Sequence, residues 1–102
     1  MKIKNLHDLE IFVHAADAGS LSAAARALDI SPAVASAGLK RLEAELGSIL
    51  LLRSTRSLRL TTAGEVYLER CREILALVDA AEGDLAGDER APRGPIRISV
   101  PV

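Results

Sequence analysis

Closely spaced helix stop and start signals divide the first 47 residues into three short segments. Gly19 is followed at once by Ser20, and a short turn at 29–30 is followed by Ser31 and Pro32. Glycine adopts the left-handed conformation that ends a helix, serine accepts the unpaired N–H groups of a first turn, and proline suits the first helical position. These signals predict three helices, with a single tight turn between the second and the third.

Apolar spacing supports the same boundaries. Helical spacing recurs in the first segment. After an N-cap at Asn5, one face carries Leu6, Leu9, Phe12 or Val13, and Ala16. The second segment runs from Leu21 to Leu28, and the third ends near Leu46, just before Gly47. Three helices in this order have the outline of a helix-turn-helix.

The period of the apolar residues changes after the third segment. Residues 49–52 form a short apolar run, and residues 57–60 alternate between polar and apolar as a half-buried strand does. The polar stretch 53–56 between them suits a hairpin tip. We therefore predict a β-hairpin, or wing, directly after the third helix.

A fourth and longer helix follows an N-cap at Thr61. No proline interrupts the sequence from Thr62 to about Gly87, a length of roughly 26 residues or ~39 Å. A helix of this length is marginally stable alone, so we expect a second copy of the chain to cover its apolar side. The predicted dimer interface has coiled-coil spacing and consists of Tyr67, Cys71, Ile74, Val78, Ala81 and Leu85.

These patterns divide the sequence into four parts. They are a winged helix-turn-helix domain at 1–61, a linker and dimerisation helix at 62–87, a hinge at 88–95, and the start of a further domain at 96–102. The predicted fold class is therefore mainly α. Residues 96–100 alternate like a strand that has no partner strand, so we expect the sequence to be a piece cut just inside a further domain.

Composition limits where such a chain works. It contains a single cysteine, which excludes an intramolecular disulfide and favours a reducing compartment. The N-terminus turns polar and acidic at once, and no stretch has the length and apolarity of a membrane span. We therefore expect a soluble, cytoplasmic protein that does not enter a membrane.

The net charge of −1 hides a local excess of positive charge. The segment 40–60 contains two acids, Glu43 and Glu45, and five cations, Lys40, Arg41, Arg53, Arg56 and Arg59. A short basic segment on a nearly neutral chain is typical of a surface that binds phosphate groups.

The start of the third helix fits the major groove of DNA. A helix that enters this groove needs small or hydrogen-bonding side chains in its first turns. The predicted base-facing residues are Ser31, Pro32, Ala33, Ser36, Ala37 and Lys40. Small residues packed in a core are the alternative interpretation, but the preceding cap and the basic pair that follows favour DNA. Because few of these side chains are long, we expect few direct base contacts.

Arginines and hydroxyl side chains elsewhere favour contacts with the phosphates. The predicted set is Ser20, Ser22, Arg41, Arg53, Ser54, Thr55, Arg56 and Arg59. A solvated hairpin is the alternative for the wing, although no acid lies among its arginines. Ser20 fits a helix cap equally well, and Arg26 fits either a phosphate contact or an ion pair with Asp29.

Catalytic and metal sites are disfavoured. His7 and His14 share a helix face, but no cysteine or acid accompanies them at metal-ligand spacing. Cys71 lies among apolar residues, where a buried hydrophobic role is the simpler interpretation. The sequence contains no nucleophile elbow and no glycine-rich phosphate loop. We therefore expect neither catalysis nor a bound metal or cofactor.

One order of short motifs runs through nearly the whole sequence. It comprises Gly-Ser-Leu-Ser-Ala-Ala-Ala at 19–25, Leu28, Ser31-Pro32, Leu42-Glu43, Leu46-Gly47, Arg-Ser-Thr-Arg at 53–56, Leu-Arg-Leu-Thr at 58–61 and Ala-Gly-Glu at 63–65. This order resembles the N-terminal DNA-binding domain of LysR-type transcriptional regulators. Residues 96–101 look like the first strand of the family's effector-binding domain.

The resemblance implies an assembly and a partner. The family's linker helices pack antiparallel in a homodimer, and two recognition helices reach successive major grooves of an interrupted palindrome. It also implies a tetramer in the full-length protein and a small-molecule coinducer bound in the effector domain. Some positions depart from the pattern: Ala37 stands where a basic residue is usual, and Leu51 or Leu52 replaces the wing phenylalanine. Gly38 inside the third helix costs it roughly 1 kcal/mol relative to alanine.

The resulting hypothesis is sequence-specific binding of double-stranded DNA by a dimer that controls transcription at a promoter, in the bacterial cytoplasm at the nucleoid. The alternative is a protein-interaction module that uses the same scaffold and the coiled-coil helix without reading DNA. Salt dependence separates the two, because contacts with phosphate weaken steeply as salt rises.

Overall fold

The fold is mainly helical, with three short helices, a hairpin and a long fourth helix. The computed structural model describes residues 5–54 and 57–90, with side chains up to residue 86. The elements are α1 (Leu6–Ala18), α2 (Leu21–Leu28), α3 (Pro32–Leu46), β1 (Leu51–Arg53), β2 (Leu58–Leu60) and α4 (Thr62–Arg90). This order confirms the predicted fold class, a winged helix-turn-helix followed by a long helix.

Local caps set the ends of the short helices. Asn5, Ser20 and Ser31 each accept a hydrogen bond from a backbone N–H of the helix that follows, at 2.9, 3.2 and 3.1 Å respectively. Gly19 and Gly47 follow α1 and α3 at φ 71° and 69°, a left-handed conformation that glycine adopts without steric cost. Helices α1, α2 and α3 begin and end where these signals predicted.

The core lies between α1, α2 and α3 and extends to the hairpin base and the first turns of α4. Its buried apolar side chains are Leu9, Ile11, Phe12, Val13, Ala15, Ala24, Ala25, Ala35, Leu39, Leu42, Leu50, Leu51, Leu68 and Cys71. All of them belong to the first of two compact units, Met1–Arg72. The second unit is Glu73–Val102. The folded core is therefore a property of the first unit.

Gly38 marks a close approach of α1 and α3. A Cβ atom at this position would lie 2.5 Å from Ile11 Cδ1 and 3.0 Å from Asp8 Oδ1. From the sequence, Gly38 is only a loss of helix stability. In the fold, its missing side chain allows two helices to pack, which offsets that loss.

The wing is an antiparallel pair of three-residue strands. The facing residues are Leu51 and Leu60, Leu52 and Arg59, and Arg53 and Leu58. Arg53 is therefore the last residue of β1, and the prediction that it belongs to the hairpin tip is wrong. The turn begins one residue later, where the Ser54 N–H donates to the Ser57 carbonyl at 2.9 Å.

Helix α4 starts at the predicted cap and continues past the predicted end. Thr61 Oγ1 accepts the Gly64 N–H at 2.9 Å. The helix continues to Arg90, beyond Gly87, so the first residues of the predicted hinge are helical. The rest of that hinge and the predicted strand at 96–100 lie outside the described residues. Within 5–54 and 57–90, no helix is long and apolar enough to cross a membrane.

Candidate nucleic-acid interface

Helix α3 has an outer face and an inner face. The outer face consists of the exposed residues Pro32, Ala33, Ala37 and Lys40. The inner face consists of the buried residues Ala35, Gly38, Leu39, Leu42 and Glu43. Of the other two predicted base-facing residues, Ser36 is half-buried and Ser31 serves as the N-cap. The outer face thus presents small side chains and one cation, which leaves room for a ligand to approach the helix closely.

Arg41 is engaged inside the protein. Its Nε and Nη2 donate to the two carboxylate oxygens of Asp8 on α1, each at 2.8 Å. Asp8 is fully buried, whereas about half of the Arg41 side chain is exposed. The hydrogen bonds and the charge of Asp8 raise the pKa of Arg41. Arg41, which the sequence predicts to contact phosphate, therefore neutralises the buried carboxylate of Asp8.

Glu43 anchors the hairpin to α3. Its Oε2 accepts the backbone N–H groups of Leu50 and Leu51 at 2.8 and 3.2 Å. Leu51 is buried and Leu52 is exposed, so Leu51 is the wing residue that packs inward. Charge-assisted bonds to backbone N–H groups are stronger than neutral ones, so this carboxylate fixes where β1 begins.

Sequence reasoning missed the roles of these two acids, although a signal for them exists. Glu43 follows Leu39 by four residues, and Asp8 precedes Ile11 by three and Phe12 by four. Each acid therefore lies on the apolar side of its helix. A buried carboxylate must find hydrogen-bond donors or a cation, which predicts an internal partner for both.

The described part of the wing has two exposed arginines with different surroundings. Arg53 Nη1 donates to Ser36 Oγ on α3 at 3.0 Å. Arg59 is exposed on β2, opposite Leu52. Arg53 also borders an open groove of about 560 Å³ between α3 and β1, together with Lys40 and Leu52. The wing and α3 therefore each contribute a cation to the border of the same groove.

The remaining predicted phosphate contacts fall into three groups. Ser20 is a helix cap, with its Oγ accepting the Ala23 N–H at 3.2 Å, while Ser22 is exposed in the first turn of α2. Ser54 closes the wing turn, where its Oγ accepts the Ser57 N–H at 3.1 Å. Thr55 and Arg56 lie outside the described residues.

Two residues of the predicted dimer interface lie inside the first compact unit. Cys71 is fully buried, and the Tyr67 ring packs 6.0 Å from that of Phe12. Burial raises the pKa of Tyr67 to about 12 and that of Cys71 to about 11. Cys71 has no exposed surface to offer a second chain, so its place in the interface is corrected to a core role.

The other four residues of that interface lie in the second unit. Ile74, Val78, Ala81 and Leu85 follow one side of α4 at spacings of four, three and four residues. The exposed fraction of the residue is 37% for Ile74 and 62% for Leu85. This stripe is therefore apolar and accessible.

The described residues contain no group of three or more metal-binding side chains. His7 Nδ1 lies 3.2 Å from Glu10 Oε1, a local contact on α1. The histidine that the sequence placed on the same face, His14, is exposed.

A bacterial family shares this geometry and sequence. The model of bacterial regulatory helix-turn-helix proteins of the lysR family matches residues 6–65. The chain belongs to the lysR family. The match runs from the start of α1 through the wing to the first turn of α4.

Curated relatives of the lysR-family chain are named as transcription regulators. It is 38% identical over 101 residues to the probable HTH-type transcriptional regulator LtrA of Klebsiella pneumoniae, covering 99% of this chain and 33% of that protein. It is 40% identical over 97 residues to the HTH-type transcriptional regulator PtxR of Pseudomonas aeruginosa, covering 95% and 31%. The chain thus spans about a third of the length of these relatives.

Solved structures similar to the lysR-family chain include a complex with DNA. The DNA-binding domain of CbnR in its DNA complex matches at 36% identity and a TM-score of 0.75, over 82% of this chain and 97% of that one. CbnR, a LysR family transcriptional regulator, matches at 36% identity and a TM-score of 0.76, over 85% and 30%. These matches support the winged helix-turn-helix fold.

Proposed function

We propose that this lysR-family chain binds double-stranded DNA sequence-specifically, as the DNA-binding part of a transcription regulator. The observation that carries the proposal is the placement of Arg53 beside the outer face of α3, where its guanidinium reaches Ser36 at 3.0 Å. A helix surface of small residues, bordered by cations, suits a major groove bordered by phosphates. The similarity to the CbnR DNA-binding domain in its DNA complex supports the same function.

The charge of this surface favours an anionic partner. Lys40, Arg53 and Arg59 are exposed, whereas the carboxylates of Asp8 and Glu43 are buried. Lys40, Arg53 and Arg59 therefore face solvent, where an anionic partner can reach them. These three exposed cations are our proposed charged contacts with phosphate, together with Arg56, which the sequence assigns to the same role. Arg41 is no longer part of this set, because it neutralises Asp8.

Sequence preference rests on shape more than on a rich set of base contacts. Ala33 and Ala37 on the outer face have no side-chain hydrogen-bonding group. A helix of this kind approaches the bases closely but reads few of their polar edges. Groove width, DNA deformability and the spacing of two half-sites then supply most of the specificity.

The proposal includes a homodimer formed through the distal part of α4. Its interface consists of Ile74, Val78, Ala81 and Leu85, the accessible apolar stripe of the second unit. A second copy of the same stripe would remove these side chains from water. Two protomers present two recognition helices, which fits a palindromic site on DNA.

The proposed function requires access to the chromosome, which in a bacterium lies in the cytoplasm. The curated relatives named above are bacterial. Tetramer formation and coinducer binding belong, by the family resemblance, to an effector domain and are proposed only for a full-length protein that contains one.

A binding measurement over a range of salt concentrations tests DNA recognition. The probe is a duplex selected from random-sequence DNA by the full chain, and its control is a scrambled duplex of equal length and composition. We expect tighter binding to the selected duplex, with log K falling linearly against log salt because each phosphate contact releases counterions.

The opposite result identifies the alternative function. If the two duplexes bind equally and weakly at moderate salt, the chain does not read DNA. A protein-interaction module is then the better description, since an apolar interface persists as salt rises.

A pair of adjacent alanines tests the dimer. Ala81 lies on the apolar stripe of α4, whereas Ala80 lies on another side, and both are exposed. Sedimentation of the full chain should show a dimer that Ala81→Asp dissociates and Ala80→Asp leaves intact. A wild-type monomer at micromolar concentration, or equal effects of the two substitutions, contradicts the proposed interface.

A further inference from the structure

One hydrogen bond joins the wing to the recognition helix. Arg53 Nη1 donates to Ser36 Oγ at 3.0 Å, although the two residues are 17 positions apart in the sequence. The sequence alone assigns Ser36 to base contact and Arg53 to phosphate contact as independent groups. In the structure the serine oxygen is the acceptor for the arginine.

The fold brings these two side chains together through a second link. Glu43 lies seven residues after Ser36 on α3, which is close to two helical turns and places both on the same side at a separation of ~10.5 Å. Glu43 holds the backbone of Leu50 and Leu51 at the start of β1. The strand then runs ~7 Å toward Arg53, and the long arginine side chain covers the remaining distance. Strand β1 therefore runs back along α3 from Glu43 towards Ser36.

The chemistry of arginine leaves this contact compatible with DNA binding. A guanidinium carries five N–H donors in a fixed plane and has no hydrogen-bond acceptor. Within residues 5–54 and 57–90, the side chain of Arg53 donates through Nη1 to Ser36, and its other donors can reach a phosphate. A long side chain that is already held in one orientation loses less conformational freedom when it binds.

A neighbouring cation belongs to the same arrangement. Lys40 follows Ser36 by four residues, one helical turn further along α3 and about 40° around it towards the outer face. Lys40 and Arg53 border the same groove between α3 and β1. Two cations from different elements thus border one groove. Of the two, Arg53 is held by a side chain of α3, that of Ser36.

We propose that Ser36 is a positioning residue, which holds Arg53 against the recognition helix so that Arg53 contacts a phosphate beside the groove that α3 enters. Ser36 therefore acts on DNA through Arg53 rather than by reading a base. The inference rests on the proposed function. It goes beyond it because it assigns a charge-dependent role to a side chain that has no charge.

The salt dependence of binding tests this role with three variants of the full chain. Arg53→Ala should weaken binding to the selected duplex about tenfold and reduce the slope of log K against log salt by about one. Ser36→Ala should weaken binding about three- to fivefold and also make the slope shallower, because it removes the group that holds the cation in place. Ser36→Thr, which keeps the hydroxyl group, should bind within about twofold of wild type.

A double-mutant cycle gives the second readout. Ser36→Ala combined with Arg53→Ala should bind no more weakly than Arg53→Ala alone, since the positioned group is already absent. The matched control combines Ser36→Ala with Arg59→Ala on β2, and there the two losses should add. Thermal unfolding of each variant accompanies these measurements, and only variants that fold like wild type are compared.

The outcomes separate this inference from the proposed function. If wild type prefers the selected duplex but Ser36→Ala weakens binding without changing the salt slope, Ser36 contacts DNA directly and the positioning role is wrong. Additive losses of Ser36→Ala and Arg53→Ala in the double variant also contradict the positioning role. If wild type shows no preference for the selected duplex, the proposed function itself is wrong.

Discussion

Lys40 and Arg41 are adjacent cations on α3 with opposite roles. Lys40 lies on the outer face and borders the groove beside the wing. Arg41 is bound by both oxygens of the fully buried Asp8 on α1. One residue of displacement is a rotation of about 100° around the helix, which moves a charged group from the exposed outer face to a position where it neutralises a buried acid.

The contrast between Lys40 and Arg41 predicts which substitutions reduce folding stability and which reduce DNA affinity. On the inner face and around it, side chains are fixed by partners on α1 and β1. On the outer face, small side chains have few partners and remain free for a ligand. We therefore expect stability to depend on the inner face and DNA affinity on the outer face.

The largest effect is expected for Arg41→Met. This change keeps most of the side-chain volume but leaves the buried Asp8 carboxylate without its cation, which is strongly destabilising. We expect the midpoint of thermal unfolding to fall by about 15 °C, measured by circular dichroism. Arg59→Met on the exposed strand β2 is the control and should shift the midpoint by about 2 °C at most. Similar midpoints for the two variants would show that the ion pair with Asp8 contributes little.

Gly64→Ala tests the packing of α4 against the hairpin base. A Cβ atom at Gly64 would collide with the backbone carbonyl oxygen of Leu50, and a backbone atom cannot move aside cheaply. We expect a decrease of about 10 °C in the unfolding midpoint. Gly83→Ala is the matched control in the same helix, because nothing lies within 4 Å of a Cβ there. Loss of stability in the control but not in Gly64→Ala would contradict this packing.

High pH should lower the folding stability through Tyr67 and Cys71 on α4. Burial raises the pKa of Tyr67 to about 12 and of Cys71 from 9.0 to about 11. The folded state then retains protons that the unfolded state releases, so stability is present below pH 9 and declines as pH rises from there. We expect the midpoint to fall by about 5 °C between pH 8.5 and 10.5. Cys71→Ala should reduce this decline of the midpoint with pH. If the double variant Cys71→Ala, Tyr67→Phe showed the same decline as wild type, other titrating groups would be its cause.

The smallest effect on stability is expected for Lys40→Met, the outward counterpart of Arg41→Met. Because Lys40 is exposed, the unfolding midpoint should change by about 2 °C at most. Binding to the selected duplex should nevertheless weaken about fivefold, with a shallower salt slope. A destabilised Lys40→Met with unchanged DNA affinity would remove the distinction between the two cations.

Much of the fold could be predicted from the sequence, since its signals act over a few residues. The serine caps at Ser20 and Ser31 and the glycine stops at Gly19 and Gly47 bond or bend within their own turn. Strand alternation likewise predicted the hairpin, although Arg53 belongs to β1 rather than to the tip. Cap and turn geometry depend on local backbone conformation, which the sequence determines directly.

The candidate site was predicted less completely because its key contacts join residues far apart in the sequence. Arg41 and Asp8 are 33 residues apart, and Arg53 and Ser36 are 17 apart. Cys71 had the same apolar spacing as Ile74, yet it is fully buried. Spacing places a residue on one side of its helix, but it does not say which element covers that side.

The sequence by itself determined the helices, their ends, the wing and the position of a basic segment, because short-range hydrogen bonding and apolar periodicity encode them. Only the tertiary structure decided which cation faces outward and which neutralises Asp8, why Gly38 has no side chain, and that Ser36 holds Arg53. These outcomes depend on how α1, α3 and β1 pack against one another. Burial makes an unpaired charge or an extra methyl group costly, so packing selects among roles that the sequence alone leaves open.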